Sequence, residues 1–399
     1  MIKRFITVIL AAVLLVSLVA CGDDAKKENA SESSGFEKLK AEFQKKTADD
    51  LINECFADKA NPTAQEFAKL YENYGFVDPQ EDYEYGDNTI KEACTILKDS
   101  GARVASVCES EIITYILNSE YAGARAYMYR EQAANYIDSS VSVYAPLLEK
   151  ALSETEPLVV YSVLKGLPNS YGNNDAFWNF ALPFADSEDV NLRKALAMAY
   201  CKIGIANKDA ALETAKKLMN DSDVGVKQNA LRYAGFIADD RIVDTYRAVL
   251  TDESQAKDYH ENAFLGLMEL WYGYPRHKTT SEAAYRLAIE YLTMDTTNPD
   301  IPSANGMAGL TKIGLPMDYD VWREAATYFD EGEIVAAMQK IIGDAEASKD
   351  VKSTAIDVVA LWGTLEDVQA AKTAVEALPD DNKDKSTLIS KCDSAIAKF

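Results

Sequence analysis

Two stretches of this chain repeat one pattern at a fixed distance. Asp186–Gly204 reads DSEDVNLRKALAMAYCKIG and Asn220–Asp239 reads NDSDVGVKQNALRYAGFIAD, with Val190 and Val224 34 residues apart (224 − 190). Each sets an Asp-Val pair ahead of an apolar residue, a base and a run of helical spacing. In the first copy Leu192, Ala195, Leu196, Ala199 and Ile203 recur at the interval that gathers them on one helix face. Val226, Ala230, Tyr233, Ala234 and Ile237 repeat that face, with Asn229 as its polar exception. The alanines allow close helix approach, and Asp189 and Asp223 sit where an acid favours a helix N-terminus. A unit of this size leaves apolar surface at both ends, which only a neighbouring unit can cover. The period therefore predicts an all-α array of stacked helix pairs.

The rest of the chain can be laid out around those two copies. At 399 residues it is longer than a single core usually serves, and 48% hydrophobic with 26% charged residues is the balance of an ordered body. Helix pairs are expected at Val143–Ser153 with Leu158–Leu167, Ala176–Ala185 with Val190–Ile203, and Asp209–Met219 with Val224–Ile237. Arg241–Leu250 pairs with Tyr259–Trp271, Ser281–Thr293 with Ser303–Ile313, Val321–Ile342 with Val351–Trp362, and Asp367–Leu378 with Ser386–Lys398. Upstream, Phe36, Leu39, Phe43, Leu51, Ile52 and Cys55 open an amphipathic helical region. AQEFAKLYENYGF follows Pro62 and stops at Gly75, and residues 88–118 read as a helical hairpin turning at Ser100-Gly101. The acidic, aromatic stretch Asp78–Asn88 reads as a solvated loop, because its acid and glycine spacing does not meet the EF-hand calcium pattern.

The repeat resembles HEAT-like repeats, in which the second helix of each pair opens with Asp-Val, an apolar residue and an Arg or Lys. Asp189-Val190-Asn191-Leu192-Arg193 and Asp223-Val224-Gly225-Val226-Lys227 carry the resemblance, and Asp350-Val351-Lys352 carries part of it. It implies a right-handed α-solenoid over residues 141–399, preceded by an N-terminal helical region over 36–140, and an extended surface for a protein or peptide partner.

The chain opens MIKRFITVILAAVLLVSLVAC, where Lys3 and Arg4 precede an apolar or small run from Phe5 to Ala20. That run is shorter than the ~20 residues of a spanning helix, and its basic flank and small residues fit a secretory signal over residues 1–20. Leu18-Val19-Ala20-Cys21 resembles the bacterial lipoprotein signal box. The resemblance implies cleavage before Cys21, a diacylglycerol on its thiol, and a protein held to a membrane through that lipid. Gly22 after it, in place of an Asp, implies the outer membrane of a cell envelope. Residues 21–35 then form a polar, flexible tether.

The formal net charge of −23 makes nucleic acid a poor partner. No phosphate loop, dinucleotide fingerprint, His-Glu-x-x-His or Cys-x-x-Cys motif is present, so no cofactor or metal is expected. His260 shares helical spacing with Phe264, Leu267 and Trp271 and reads as a packed histidine, while His277 reads as exposed. Cys94 and Cys108 stand at equal distances from Gly101, so an exported chain could bridge them, with Cys55 as a rival partner; Cys201 reads as a small buried hydrophobe. The candidate contact surface is the loop of Trp271, Tyr272, Tyr274 and Arg276, residue types enriched at recognition hot spots; the alternative is that Trp271 and Tyr272 cap the repeat core. The expected function is a lipid-anchored binding scaffold without enzymatic activity. The alternatives are an envelope glycan hydrolase using paired carboxylates and a structural spacer.

Overall fold

A computed structural model describes residues 45–78, 83–85, 87–99, 114–131, 145–168, 174–200, 205, 207–252, 254–273, 279–292 and 319–399. These residues are overwhelmingly helical. The expected signal, its Cys21 and the tether lie outside them, as does the second arm of the 303–313 pair. Among the described residues no helix is long and apolar enough to cross a membrane.

The N-terminal helices start where side chains satisfy their first free N–H groups. Helix α1 (Ala48–Cys55) opens on a reciprocal capping box between Thr47 and Asp50, and α2 (Ala64–Tyr74) on another between Thr63 and Glu66. Gly75 ends α2, as its position after the apolar run predicts. The stretch after it departs from the expected loop: strand β1 (Phe76–Asp78) pairs antiparallel with β2 (Tyr83–Tyr85), Val77 facing Glu84. Phe, Val and Tyr suit a pleated ribbon, and that local propensity overrides the acidity of the segment. Helix α3 (Asp87–Asp99) follows and packs on α1.

Among the next helices, those from α5 onward come in the expected pairs, while α4 belongs to none of them. These helices are α4 (Ala122–Glu131), α5 (Ala145–Ala151), α6 (Pro157–Gly166), α7 (Asp175–Ala181), α8 (Val190–Ala199), α9 (Lys208–Leu218), α10 (Val224–Tyr233), α11 (Val243–Leu250) and α12 (Lys257–Tyr272). Three short 3-10 turns, Leu182–Asp186, Ala234–Ile237 and Asp240–Ile242, extend or precede the helices. The second helices stand side by side: α4 packs on α6, α6 on α8, α8 on α10 and α10 on α12. Their apolar faces are largely those read from the sequence: Leu192, Ala195, Leu196, Ala199, Val226, Ala230, Ala234 and Ile237 are buried, Tyr233 is half-buried, and Ile203 lies outside the described residues. Asn229, the polar exception, is half-buried and turns its amide to the Gly225 carbonyl at 2.7 Å. Asp189 accepts from the Asn191 amide at 2.8 Å and Asp223 from the Val226 amide at 2.9 Å, so the Asp-Val pair is an N-cap followed by the first helical residue.

Beyond α12 come α13 (Glu282–Leu292), α14 (Tyr319–Ala325), α15 (Glu331–Gly343), α16 (Lys349–Trp362), α17 (Leu365–Glu376) and α18 (Lys385–Ile396). The single helix expected over Val321–Ile342 is instead two, α14 and α15. The break has a local cause: Phe329 turns into the core, and Asp330 caps α15 through the Gly332 amide at 2.8 Å. The last helices interlock, with α15 on α16 and α17, and α18 on α16 and α17.

Helix α4, which falls in the expected N-terminal helical region, lies against α6 and also against α2 and β1. One continuous cluster of buried side chains runs from Ala48 to Ala395.

Candidate functional site

The bases that open the second helices do a specific job. Arg193 grips Asp221 of the next pair with two bonds, Nε–Oδ2 at 2.7 Å and Nη2–Oδ1 at 3.1 Å, while its Nη1 donates to the Ser187 carbonyl at 2.8 Å. Arg125 repeats the arrangement on α4, holding Glu154 at 3.1 and 3.2 Å and donating to the Ser119 carbonyl at 2.8 Å. Lys227 reaches Gln255 at 2.9 Å. These three contacts span 29, 28 and 28 residues. Arg125 stands 68 residues before Arg193 (193 − 125), twice the 34-residue period. The base is therefore a clamp between successive pairs, and α4 is a second helix of the same series.

Both partners of the Arg193–Asp221 clamp are largely buried, with side-chain exposures of 14% and 11%. Burial pushes the Asp221 carboxyl upward, but the Arg193 hydrogen bonds, the Asp223 amide and the charge of Arg193 outweigh it and hold the pKa below its ordinary 3.8. A depressed carboxyl stabilises the fold above its unfolded pKa, and the contribution is lost as pH falls through the folded value. Asp221→Asn is expected to lower unfolding stability by about 1.5–3 kcal/mol at pH 7. The gap to the parent should close as pH falls below the ordinary carboxyl value; denaturant titrations at several pH values check both.

The expected contact loop is divided by the structure. Trp271 is 1% exposed and Tyr272 4%, so both belong to the core and not to a contact surface. Tyr274, Arg276 and His277 lie outside the described residues. The cause is aromatic packing across distant helices: Trp271 meets Trp322 at 6.1 Å, Phe329 at 6.0 Å and Tyr285 at 5.4 Å, and Tyr272 meets Trp322 at 5.3 Å and Trp362 at 6.1 Å. The Trp271 carbonyl accepts from Trp322 Nε1 and from Thr280 Oγ1, each at 2.8 Å. Nothing in the sequence marks Trp322, Phe329 or Trp362 as partners of Trp271, because they come together only when α12, α14 and α16 pack around one centre.

One member of that cluster, Trp362, also lines a groove of about 590 Å³ together with Val335, Ala336, Glu331 and Asp367. Gln339 crosses it to bond the Asp367 carbonyl at 2.7 Å. Leu361 and Leu365, both exposed, flank Trp362 in the chain. A smaller hollow of about 230 Å³ surrounds the Arg125–Glu154 clamp.

His260 is packed, as its spacing predicts, with a ring nitrogen 2.9 Å from the Asp252 carbonyl. Cys94 is a free thiol rather than a bridged one, half-buried, and its burial pushes the pKa up to about 11. Its expected partner Cys108, and Cys201, lie outside the described residues. Cys55, the rival, is also free and buried. Asp50, Glu54, Asp58, Glu66, Asp221, Asp239 and Asp252 all have carboxyls held below their ordinary pKa. The Arg241 side chain lowers Asp239, and bonds from Ser254 and Gln255 hold Asp252 at about 2. A carboxylic acid that protonates a leaving group needs the opposite shift.

No protein-family model matches the chain, and no curated protein sequence is detectably similar to it.

Proposed function

We propose that the chain is a lipid-anchored lipoprotein of the cell envelope whose helical body, a right-handed HEAT-like solenoid, is a scaffold that binds a protein or peptide partner. The observation that supports the scaffold is the side-by-side succession of α4, α6, α8, α10 and α12, with clamps 28 or 29 residues long running from α4, α8 and α10 to the next pair. Such a succession builds an extended surface without any single catalytic cleft. The anchor rests on the Leu18-Val19-Ala20-Cys21 box and the apolar run before it. With Gly22 after the box, the outer membrane is the proposed destination.

The glycan-hydrolase alternative requires two carboxyls in one cleft with pKa values driven apart, whereas Asp221, Asp239 and Asp252 are all shifted downward. A featureless spacer is disfavoured by the groove at Trp362.

One experiment on cells carrying the chain tests both halves of the proposal. Crosslinking in intact cells, followed by membrane fractionation, is expected to recover the parent chain in the membrane fraction joined to a discrete protein. The Cys21→Ser chain is expected to leave that fraction, since acyl chains contribute about 0.8 kcal/mol for each buried methylene. Membrane retention of Cys21→Ser overturns the anchor, and a parent chain without any crosslinked protein overturns the scaffold.

A further inference from the structure

The groove at Trp362 lies between two parts of the chain. Val335, Ala336 and Gln339 line it from α15, and Trp362, Thr364 and Asp367 line it from the end of α16 and the start of α17. Val335 and Gln339 stand one helical turn apart and so share a face of α15. Ala336 is exposed, and its single methyl leaves the space open. At about 590 Å³ the groove falls within the ~300–1,000 Å³ of ligand clefts. Leu361 and Leu365, both exposed, add apolar surface to the same stretch of chain.

The polar groups of the groove are acceptors. Thr364 and Asp367 form the capping box of α17, in which the Thr364 amide and hydroxyl donate to Asp367 Oδ2 at 2.7 and 2.8 Å. Gln339 Nε2 donates to the Asp367 carbonyl at 2.7 Å. Each acidic or amide side chain thus commits one atom to the fold and keeps another. Among the described residues, Asp367 Oδ1 and Gln339 Oε1 accept no hydrogen bond. Glu331 also lines the groove, but Arg323 already holds it at 3.2 Å, and nothing below depends on it. No lysine or arginine lines the groove.

We propose that this groove receives an arginine side chain from a partner segment, an inference that rests on the scaffold reading above and gives the partner its chemistry. The methylene stem suits the apolar wall of Val335, Ala336 and Trp362, as long basic side chains lay their stems on apolar surface. The guanidinium is a planar fork of five N–H donors, able to serve the Asp367 carboxylate and the Gln339 carbonyl together. Apolar residues beside that arginine meet Leu361 and Leu365. The net charge of −23 draws a basic segment towards the protein and repels an acidic one.

The test uses the full chain, purified in detergent, and a fluorescein-labelled Gly-Leu-Arg-Leu-Gly peptide followed by fluorescence anisotropy. Saturable binding that weakens with added salt is expected. The same peptide with citrulline in place of arginine keeps the shape without the charge and should bind at least about 10-fold more weakly. Ala336→Arg fills the groove with a cation of its own and should weaken binding by a similar factor. Ser390→Arg adds the same charge at an exposed position of α18 and should bind like the parent. Ala336→Leu, checked for native helix content by circular dichroism, repeats the block without added charge. Absence of saturable binding overturns the proposal, as does equal binding of the citrulline peptide or equal loss in the Ser390→Arg chain. So does preference for a Gly-Leu-Glu-Leu-Gly peptide. If crosslinking in cells still captures a protein while the arginine peptide fails to bind, the scaffold stands and the groove reading falls. Peptide binding by a chain that captures no protein in cells leaves the groove and removes the scaffold.

Discussion

Trp271→Ala is expected to destabilise the chain by about 3–5 kcal/mol, read as a lowered denaturant midpoint with loss of near-ultraviolet aromatic dichroism. The indole is 1% exposed and touches aromatic rings from α13, from α14 and from the turn that carries Phe329. Truncation leaves a cavity lined by rigid rings that cannot collapse into it. Trp271→Phe separates volume from polarity. The indole N–H is buried and has no hydrogen-bond partner among the described residues, so phenylalanine sacrifices no bond and should recover most of the loss. Were Trp271 a surface anchor for a partner, Trp271→Ala would leave the midpoint unchanged, and that result would sink the core placement.

Gly266→Ala is expected to be as damaging, although it adds only one methyl. A Cβ at Gly266 falls onto the Leu231 carbonyl oxygen and the Tyr246 hydroxyl and lies 2.8 Å from Tyr246 Cζ. Gly235 faces it: a Cβ there falls onto the Gly266 carbonyl oxygen and lies 2.9 Å from the Gly266 carbonyl carbon. The 3-10 turn after α10 and the middle of α12 thus meet backbone to backbone, and backbone cannot rotate out of the way. Overpacking of this kind costs about 1–3 kcal/mol where side chains can yield, and more where they cannot. Gly343→Ala is the internal comparison, since nothing lies within 4 Å of a Cβ at that position. An alanine there removes backbone freedom from the unfolded chain and fills empty space. Equal midpoints for Gly266→Ala and Gly343→Ala would show that α10 and α12 do not approach as closely as described.

What could be read in advance was whatever the chain encodes locally. The Asp-Val pairs marked N-caps because an aspartate side chain reaches an amide two or three residues on, and Gly75 marked a stop for a similarly short-range reason. The buried faces of α8 and α10 followed from helical periodicity alone. The aromatic centre was not legible, since Trp271 and Trp322 are 51 residues apart and neither has a local signature of the other. The same residue types that crowd recognition surfaces also fill cores, and only packing distinguishes them. Arg125 lay between these extremes. It keeps the 34-residue register of Arg193, yet no Asp-Val precedes it, and a search led by that dipeptide passes over α4. The groove at Trp362 needs α15, α16 and α17 in place before it exists.

The reach of the clamps sets how the molecule comes apart. Arg125, Arg193 and Lys227 each hold only the adjoining pair, so no clamp ties α4 to α12 directly. Cooperativity must then be passed from neighbour to neighbour, and it decays with distance along the array. Severing one clamp weakens coupling at that junction only, because the apolar core still joins the units on either side. Amide exchange is correspondingly fastest at the two ends and slowest where a pair is held from both sides, as the α9–α10 pair is by Arg193 and Lys227.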